Sequence, residues 1–205
     1  MAGVSGQGRK FSIADGLGAA TRVFWNYGYE GSSVKMLTDA MGINPPSLYK
    51  AFGSKEELFF QVVDHYNDTH GNFMAIAFDE EHGGVELMRR LLLEAAQHYA
   101  QPGFPGGCLT ISAAVTVTEQ NQHVAQRLAN MRNDNIKAMA EALDQDVERG
   151  RLPEGTDTRT LAGFVGTTLQ GMSQQARDGA TAEELERIAQ LAIRALPEPA
   201  AIAAA

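Results

Sequence analysis

Residues 23–59 read VFWNYGYEGSSVKMLTDAMGINPPSLYKAFGSKEELF, and the punctuation within them decides the fold. Just upstream, Ile13, Leu17, Ala20 and Phe24 recur at i, i+4, i+7 and i+11, which is one face of a helix. Tyr27-Gly28-Tyr29-Glu30-Gly31 breaks that helix near Gly28. Ser32 or Ser33 caps a short second helix with Val34, Leu37 and Met41 on its apolar face, and Gly42 ends it. Asn44 stands as the N-cap of a third helix with Pro45 in its first position, although Pro46 disfavours helical geometry at Pro45 and can shift the start by one residue. Leu48 and Phe52 turn inward together and Gly53 stops this helix. Ser54-Lys55-Glu56-Glu57 is an S-x-x-E capping box and opens a fourth helix, whose apolar face is Leu58, Phe59, Val62, Val63 and Tyr66.

Two short helices, each with one apolar face, joined by Gly42-Ile43-Asn44, form a helix-turn-helix pattern. Its use is geometric: the second helix enters a DNA major groove while the first braces it across the backbone. The outer face of the second helix must then be small or polar, and Asn44, Pro45, Pro46, Ser47, Tyr49 and Lys50 satisfy this. With Phe24, Gly28, Tyr29, Gly42, Ile43, Leu48, Tyr49, Phe52, Ser54, Lys55, Glu56 and Leu58 in place, the stretch resembles the DNA-binding region of the TetR family of bacterial repressors. Beyond it only the helical layout is similar.

The resemblance implies a role for each residue. Tyr49 donates its hydroxyl to a phosphate. Lys55, at a helix N-terminus, meets a phosphate together with free backbone N–H groups. Ser33 or Lys35 touches the other phosphate strand. Pro45, Pro46, Ser47 and Lys50 lie nearest the base edges, with Asn44 on the same DNA-facing side. The chain departs from a common family pattern, which has an aromatic or histidine near Lys50 and Ala51. Lys50 can read guanine O6/N7 or hold a phosphate, and the prolines can pack on thymine methyls.

The rest of the chain also reads as helical, with no convincing strand alternation. One helix spans 84–100 and a Pro/Gly loop spans 102–107. A short apolar helix covers about 108–118, and a long one about 121–149 has Val124, Leu128, Met131, Leu143 and Val147 inward. Gly150-Arg151-Leu152-Pro153 ends it. Two more helices cover about 157–177 and 182–196, the second opening on the capping box Thr181-Ala182-Glu183-Glu184. The expected class is all-α, with about nine helices. A disordered arm at 1–10 is followed by a three-helix helix-turn-helix domain at 11–56. An effector-binding and dimerisation domain at 57–197 and a disordered tail at 198–205 complete the chain.

Charge sharpens this division. The chain has 205 residues, 44% of them apolar and 20% charged, with a net charge of −8. Bulk charge therefore excludes a nucleic-acid coat but leaves room for one small reading module. Residues 1–60 hold six basic and five acidic residues (+1), so 61–205 hold eleven basic and twenty acidic ones (−9). The single cysteine, Cys108, excludes an intrachain disulfide and a Cys-rich zinc site. No two of the five histidines share a helical face, so no metal is expected. No nucleophile elbow, Walker motif or dinucleotide fingerprint appears, so neither an enzyme nor a cofactor is expected. The first ten residues have no apolar core and no apolar run reaches eighteen residues. A cytoplasmic protein without membrane contact follows.

The resemblance also implies a small-molecule effector and a homodimer built on the last two helices. Apolar candidates for the effector pocket are Phe73, Phe78, Leu92, Phe104, Cys108, Ile111, Val115, Met131, Phe164 and Met172, although these residues also suit a plain core. Cys108 follows Gly106-Gly107 and begins a helix. It reads either as a thiol-reactive sensor or as a small buried hydrophobe. Candidates for the dimer interface are Leu161, Phe164, Val165, Thr168, Leu169, Met172, Leu185, Ile188, Ala189, Ala192 and Leu196, with Gly163, Gly166 and Gly171 permitting close approach. The same stripe can instead pack within the chain. The expected function is a repressor released from a palindromic operator. The alternatives are an activator with the same DNA contacts and a helical ligand-binding protein that no longer reads DNA.

Overall fold

The computed structural model describes residues 12–200, and these contain helices and connecting turns with no strand. The expected arm at 1–10 lies outside the described residues. The first helix, α1 (Ile13–Gly31), opens on Ser12, whose hydroxyl accepts the Asp15 N–H. Ala20 and Phe24 are buried and Leu17 is partly buried, but Ile13 is exposed. The buried face continues instead through Val23, Trp25 and Tyr29.

Helix α1 kinks at Gly28 rather than stopping there. Gly28 has φ 69°, and the Tyr29 N–H donates to the Ala113 carbonyl at 2.6 Å instead of to its own helix. The carbonyls freed by the kink are met by Arg177, which donates to Trp25 O at 2.8 Å and Asn26 O at 3.0 Å. A Cβ at residue 28 would lie 2.9 Å from Ala113 O, so both the dihedral and the close approach require glycine.

The next three helices follow the caps read from the sequence. Ser33 caps α2 (Val34–Met41), which ends at Gly42 with φ 68°. Asn44 Oδ1 accepts the Ser47 N–H at 2.9 Å and α3 (Pro45–Phe52) starts at Pro45 without a shift. Ser54 and Glu57 close the reciprocal capping box of α4 (Lys55–Asp68). Leu37, Leu48, Phe52, Leu58 and Phe59 pack with Phe24, whose ring meets that of Phe59 edge-on at 5.0 Å. The expected domain boundary after Glu56 falls inside α4. The later turns of that helix carry Val62, Val63 and Tyr66 into the core of the larger domain.

That domain contains α5 (Phe73–Glu80), α6 (Gly84–Tyr99), α7 (Leu109–Ser112), a 3-10 turn at Glu119–Asn121, α8 (Gln122–Glu148), α9 (Thr158–Arg177) and α10 (Ala182–Ile193). The described residues thus form ten α-helices rather than about nine. The addition is α5, whose apolar run Phe73-Met74-Ala75-Ile76-Ala77-Phe78 has no periodic polar face to announce it. Helix α6 packs against α5, α8, α9 and α10. The helix expected over 108–118 shrinks to α7 because the groups needed to continue it go elsewhere. Ala113 O accepts from Tyr29, and the Thr118 N–H donates to the Glu30 carboxylate at 2.7 Å.

In α8, Val124, Leu128 and Leu143 are buried as the periodicity predicts, while Met131 and Val147 are only partly so. Two residues outside the expected set are also buried, Met139 and, less predictably, Asp146, at 0% exposure. Its Oδ2 accepts the Val85 N–H at 3.0 Å, satisfying a free donor at the start of α6, and its Oδ1 lies 3.3 Å from Arg151 Nη1. Arg151 also pairs with Glu86 at 2.5 Å. This cluster reaches the last described residues: the Ala200 N–H donates to Arg151 O at 2.8 Å, and, close by in sequence, Glu198 pairs with Arg89 at 2.8 Å. Residues 198–200 are therefore anchored, contrary to the disordered tail expected there. Positions 201–205 lie outside the described residues.

Candidate nucleic-acid interface and effector cavity

Caps and glycines hold α3 with its polar face outward. Asn44, Pro45, Pro46, Ser47, Tyr49 and Lys50 are all exposed, Tyr49 by 51%, while Leu48 and Phe52 hold the opposite face in the core. Ser33 and Lys35 are exposed on α2. Three of these groups have local partners as well. Asn44 Oδ1 and Ser33 Oγ accept helix N–H groups, and Lys35 pairs with Asp39 at 2.6 Å, a bond that solvent screens at 82% and 63% side-chain exposure.

Lys55 is held differently. As the first residue of α4 it sits beside free helix N–H groups, with its Nζ 4.4 Å from the centroid of the Tyr29 ring. Burial pulls its ammonium below the usual lysine range and the Glu30 carboxylate pushes it back up. Glu30 in turn accepts from Asn121 Nδ2, the Thr118 N–H and the Thr118 hydroxyl at 2.7–2.9 Å, which hold its carboxyl at about 2. Glu56 meets His123 at 2.8 Å. Tyr29, Glu30, Lys55 and Glu56 therefore join the reading head to α7 and the start of α8. The motif resemblance alone did not reveal this junction.

A cavity of about 320 Å³ lies on another side of α7, where Thr110 lines it. Of the effector-pocket candidates, Phe73, Phe78, Cys108 and Met131 line it, and Ile111 lines a smaller adjoining cavity of about 40 Å³. The other expected pocket residues do not line either space. Leu92 and Met172 are fully packed in the core. Phe104 packs against His70 with ring centroids 4.2 Å apart and the planes tilted by 56°, and carries the Arg22 guanidinium on its face. Val115 and Phe164 are exposed on outer surfaces.

Cys108 is buried, with its Sγ 3.0 Å from Thr110 Oγ1 and its N–H bonded to Ser173 Oγ at 2.9 Å. It lines both cavities. Thr110, Arg132 and Asn135 also line both, although sequence reasoning had not picked them out. The signal was present in α8, where Leu128, Arg132, Asn135 and Met139 share one helical face and put a cation among inward positions.

The expected dimer face also divides. Val165, Leu169, Met172, Leu185, Ala189, Ala192 and Leu196 are buried within the chain, because α9 and α10 must first cover α6. Leu161 and Thr168 are partly exposed, and Phe164 and Ile188 remain outward, together with Leu191 at 68% exposure. A Cβ at Gly163 or Gly171 would meet nothing within 4 Å, whereas one at Gly166 would strike Ile136. Among the described residues no helix is long and apolar enough to cross a membrane, and no three His, Cys, Asp or Glu side chains gather as metal ligands.

Known proteins align with both parts. The family described as bacterial regulatory proteins, tetR family, matches residues 17–62, and the tetracyclin repressor-like C-terminal domain matches 84–192. The HTH-type transcriptional repressors ComR and BdcR of Escherichia coli K12 are similar over 94% of this chain. ComR is 31% identical with 92% of its length covered, and BdcR is 32% identical with 93% covered. A solved structure of the TetR family regulator CifR, a cysteine mutant complexed with 26-bp operator DNA, superposes with a TM-score of 0.86. It is 38% identical over 93% of this chain and all of that one. On the capped helix-turn-helix, the helical second domain and these matches, the chain belongs to the TetR family of helix-turn-helix transcriptional regulators.

Proposed function

We propose that this protein is a homodimeric repressor whose two α3 helices read the halves of a palindromic operator, and that a small molecule in the cavity beside α7 releases it. The observation that carries this reading is the outward polar face of α3, flanked by Tyr49 and by Lys55 at the start of α4. Asn44, Pro45, Pro46, Ser47 and Lys50 face the bases, and Ser33, Lys35, Tyr49 and Lys55 hold phosphates. Half-site centres would lie about 34–36 Å apart. Release follows if the effector binds the DNA-incompetent spacing of the heads more tightly, and DNA must then weaken the effector equally. Selection of genomic fragments by the purified protein tests the reading. A shared palindrome is expected, and no enrichment at low salt from an intact dimer would overturn it.

The dimer would form on Phe164, Ile188 and Leu191, with Gly163 and Gly171 allowing the helices of the two copies to approach. Leu191→Arg should weaken dimerisation by about thirtyfold or more, in line with the roughly 2 kcal/mol or greater cost of losing a central interface residue. Its helical circular dichroism should be unchanged, because Leu191 does not support the monomer core. Sedimentation that still gave a dimer at sub-micromolar concentration would move the interface elsewhere.

A further inference from the structure

We infer that the cavity beside α7 binds a monocarboxylate with an apolar body, its head on Arg132 and its tail among Phe73, Met74, Phe78 and Met131. This names the ligand class of the effector site proposed above and rests on that reading for its regulatory consequence, though not for binding itself.

The charge of Arg132 is unmatched. Its guanidinium has five N–H donors, and one bond is formed, from Nη1 to Thr110 O at 2.9 Å. Among the described residues no carboxylate pairs with it. Asp134, on the same wall, is exposed and does not reach it. Other partly buried arginines have carboxylate partners: Arg89 has Glu198, Arg90 has Glu80, Glu81 and Glu94, and Arg151 has Glu86 and Asp146; Arg177, which has none, spends its donors on two backbone carbonyls and lines neither cavity. Burial also pulls the Arg132 guanidinium below its ordinary range. A cation held partly out of water without a counter-charge is costly, and an anion that arrives with its own apolar surface offsets that cost.

The surroundings select the kind of anion. Arg132 stands where the larger and smaller cavities meet, with the Thr110 hydroxyl and Asn135 as further polar groups and aromatic and methionine walls beyond. A single planar guanidinium fixed on one side by Thr110 O suits the two coplanar oxygens of one carboxylate. A phosphate dianion would call for a second cation, and the next charge on the wall is the anionic Asp134. The volume, about 320 Å³, is at the small end of ligand sites, which run roughly 300–1,000 Å³. An aliphatic acid of medium chain length or an aryl acid fits that description better than a large conjugate does.

The test is calorimetric titration of the intact protein, without DNA, with sodium acetate, butanoate, octanoate and phenylacetate, and with 1-octanol and octanamide as uncharged matches. Octanoate or phenylacetate should bind at least tenfold more tightly than acetate and at least tenfold more tightly than the matched neutral compounds. Arg132→Gln should erase the preference for charge while leaving the affinity for octanol intact, and Arg132→Lys should keep part of it. If the Gln variant does not fold, the comparison of octanoate with octanol and octanamide on the wild-type protein still decides. Equal binding of charged and neutral compounds, or no binding of either acid at millimolar concentration, overturns the inference. Octanoate binding that leaves operator affinity unchanged would instead refute the effector reading and leave the ligand class standing.

Discussion

Replacing Asp146 with alanine is expected to lower the unfolding free energy by about 3–5 kcal/mol, the range for removing one partner of a buried ion pair. The size follows from the accessibility of the site. Asp146 is fully buried, so water cannot replace what its carboxylate does. Two groups are orphaned at once: the Val85 N–H at the start of α6, and the side of Arg151 that faces Asp146 Oδ1. Arg151 keeps Glu86, so the cationic end is not wholly abandoned and the loss stays within that range. Asp146→Asn preserves an acceptor for Val85 and removes only the charge, so it should cost less than the alanine change. Urea unfolding at fixed protein concentration separates the two, because a dimer's apparent stability depends on concentration. An alanine variant as stable as the parent would show that the cluster contributes nothing net to the fold.

Asp146 also marks the limit of what the sequence discloses. In α8 the 3.6-residue period identifies Val124, Leu128 and Leu143 as core, but an aspartate on the same helix reads as solvent-facing until its partners are known. Those partners, Val85 and Arg151, lie on other elements, and no local pattern pairs them. Helices α2, α3 and α4 show the opposite case at their starts. Their caps are side chains bonding backbone three residues away, as Ser33, Asn44 and Ser54 do, so the information is local and the boundaries hold. Helix α7 fails for the complementary reason. Residues 108–118 are apolar enough to form a longer helix, but Ala113 O and the Thr118 N–H are diverted to α1 by contacts eighty and more positions away. The dimer stripe was legible as apolar surface but not as two surfaces. Val165 and Leu169 are buried within the chain, whereas Phe164 is exposed, and periodicity alone does not say which side of a helix meets its own chain and which meets a copy. Arg132 was visible as a cation among inward positions. Its lack of a carboxylate partner appears only in three dimensions.

Lys55→Ala should weaken binding to every DNA sequence, with the loss largest at low salt. Its Nζ lies on the Tyr29 ring beside the free N–H groups of α4, so the cation reaches the phosphate already positioned and partly desolvated. One phosphate contact per subunit, two per dimer, contributes about 0.9 each to the log–log salt slope. The variant's slope should therefore be shallower by about 2. Between about 50 and 200 mM salt, its disadvantage relative to the parent should shrink roughly tenfold. Lys50→Ala provides the contrast. Lys50 is exposed on α3, outside the Tyr29 stack, and if it reads a guanine edge its loss should cost about 1–3 kcal/mol on the operator and far less on unrelated DNA. Fluorescence anisotropy on operator and scrambled duplexes across a salt series distinguishes the two lysines. Equal losses for Lys50→Ala on both duplexes would make it another phosphate contact, and an unchanged slope for Lys55→Ala would remove α4 from the DNA interface. The placement of Lys55 also links this result to release. Tyr29, which carries the lysine, is bonded to Ala113 at the end of α7, and α7 borders the cavity. A ligand that shifts α7 must therefore move the platform on which the phosphate contact rests, so the salt slope of the liganded parent should move toward that of Lys55→Ala.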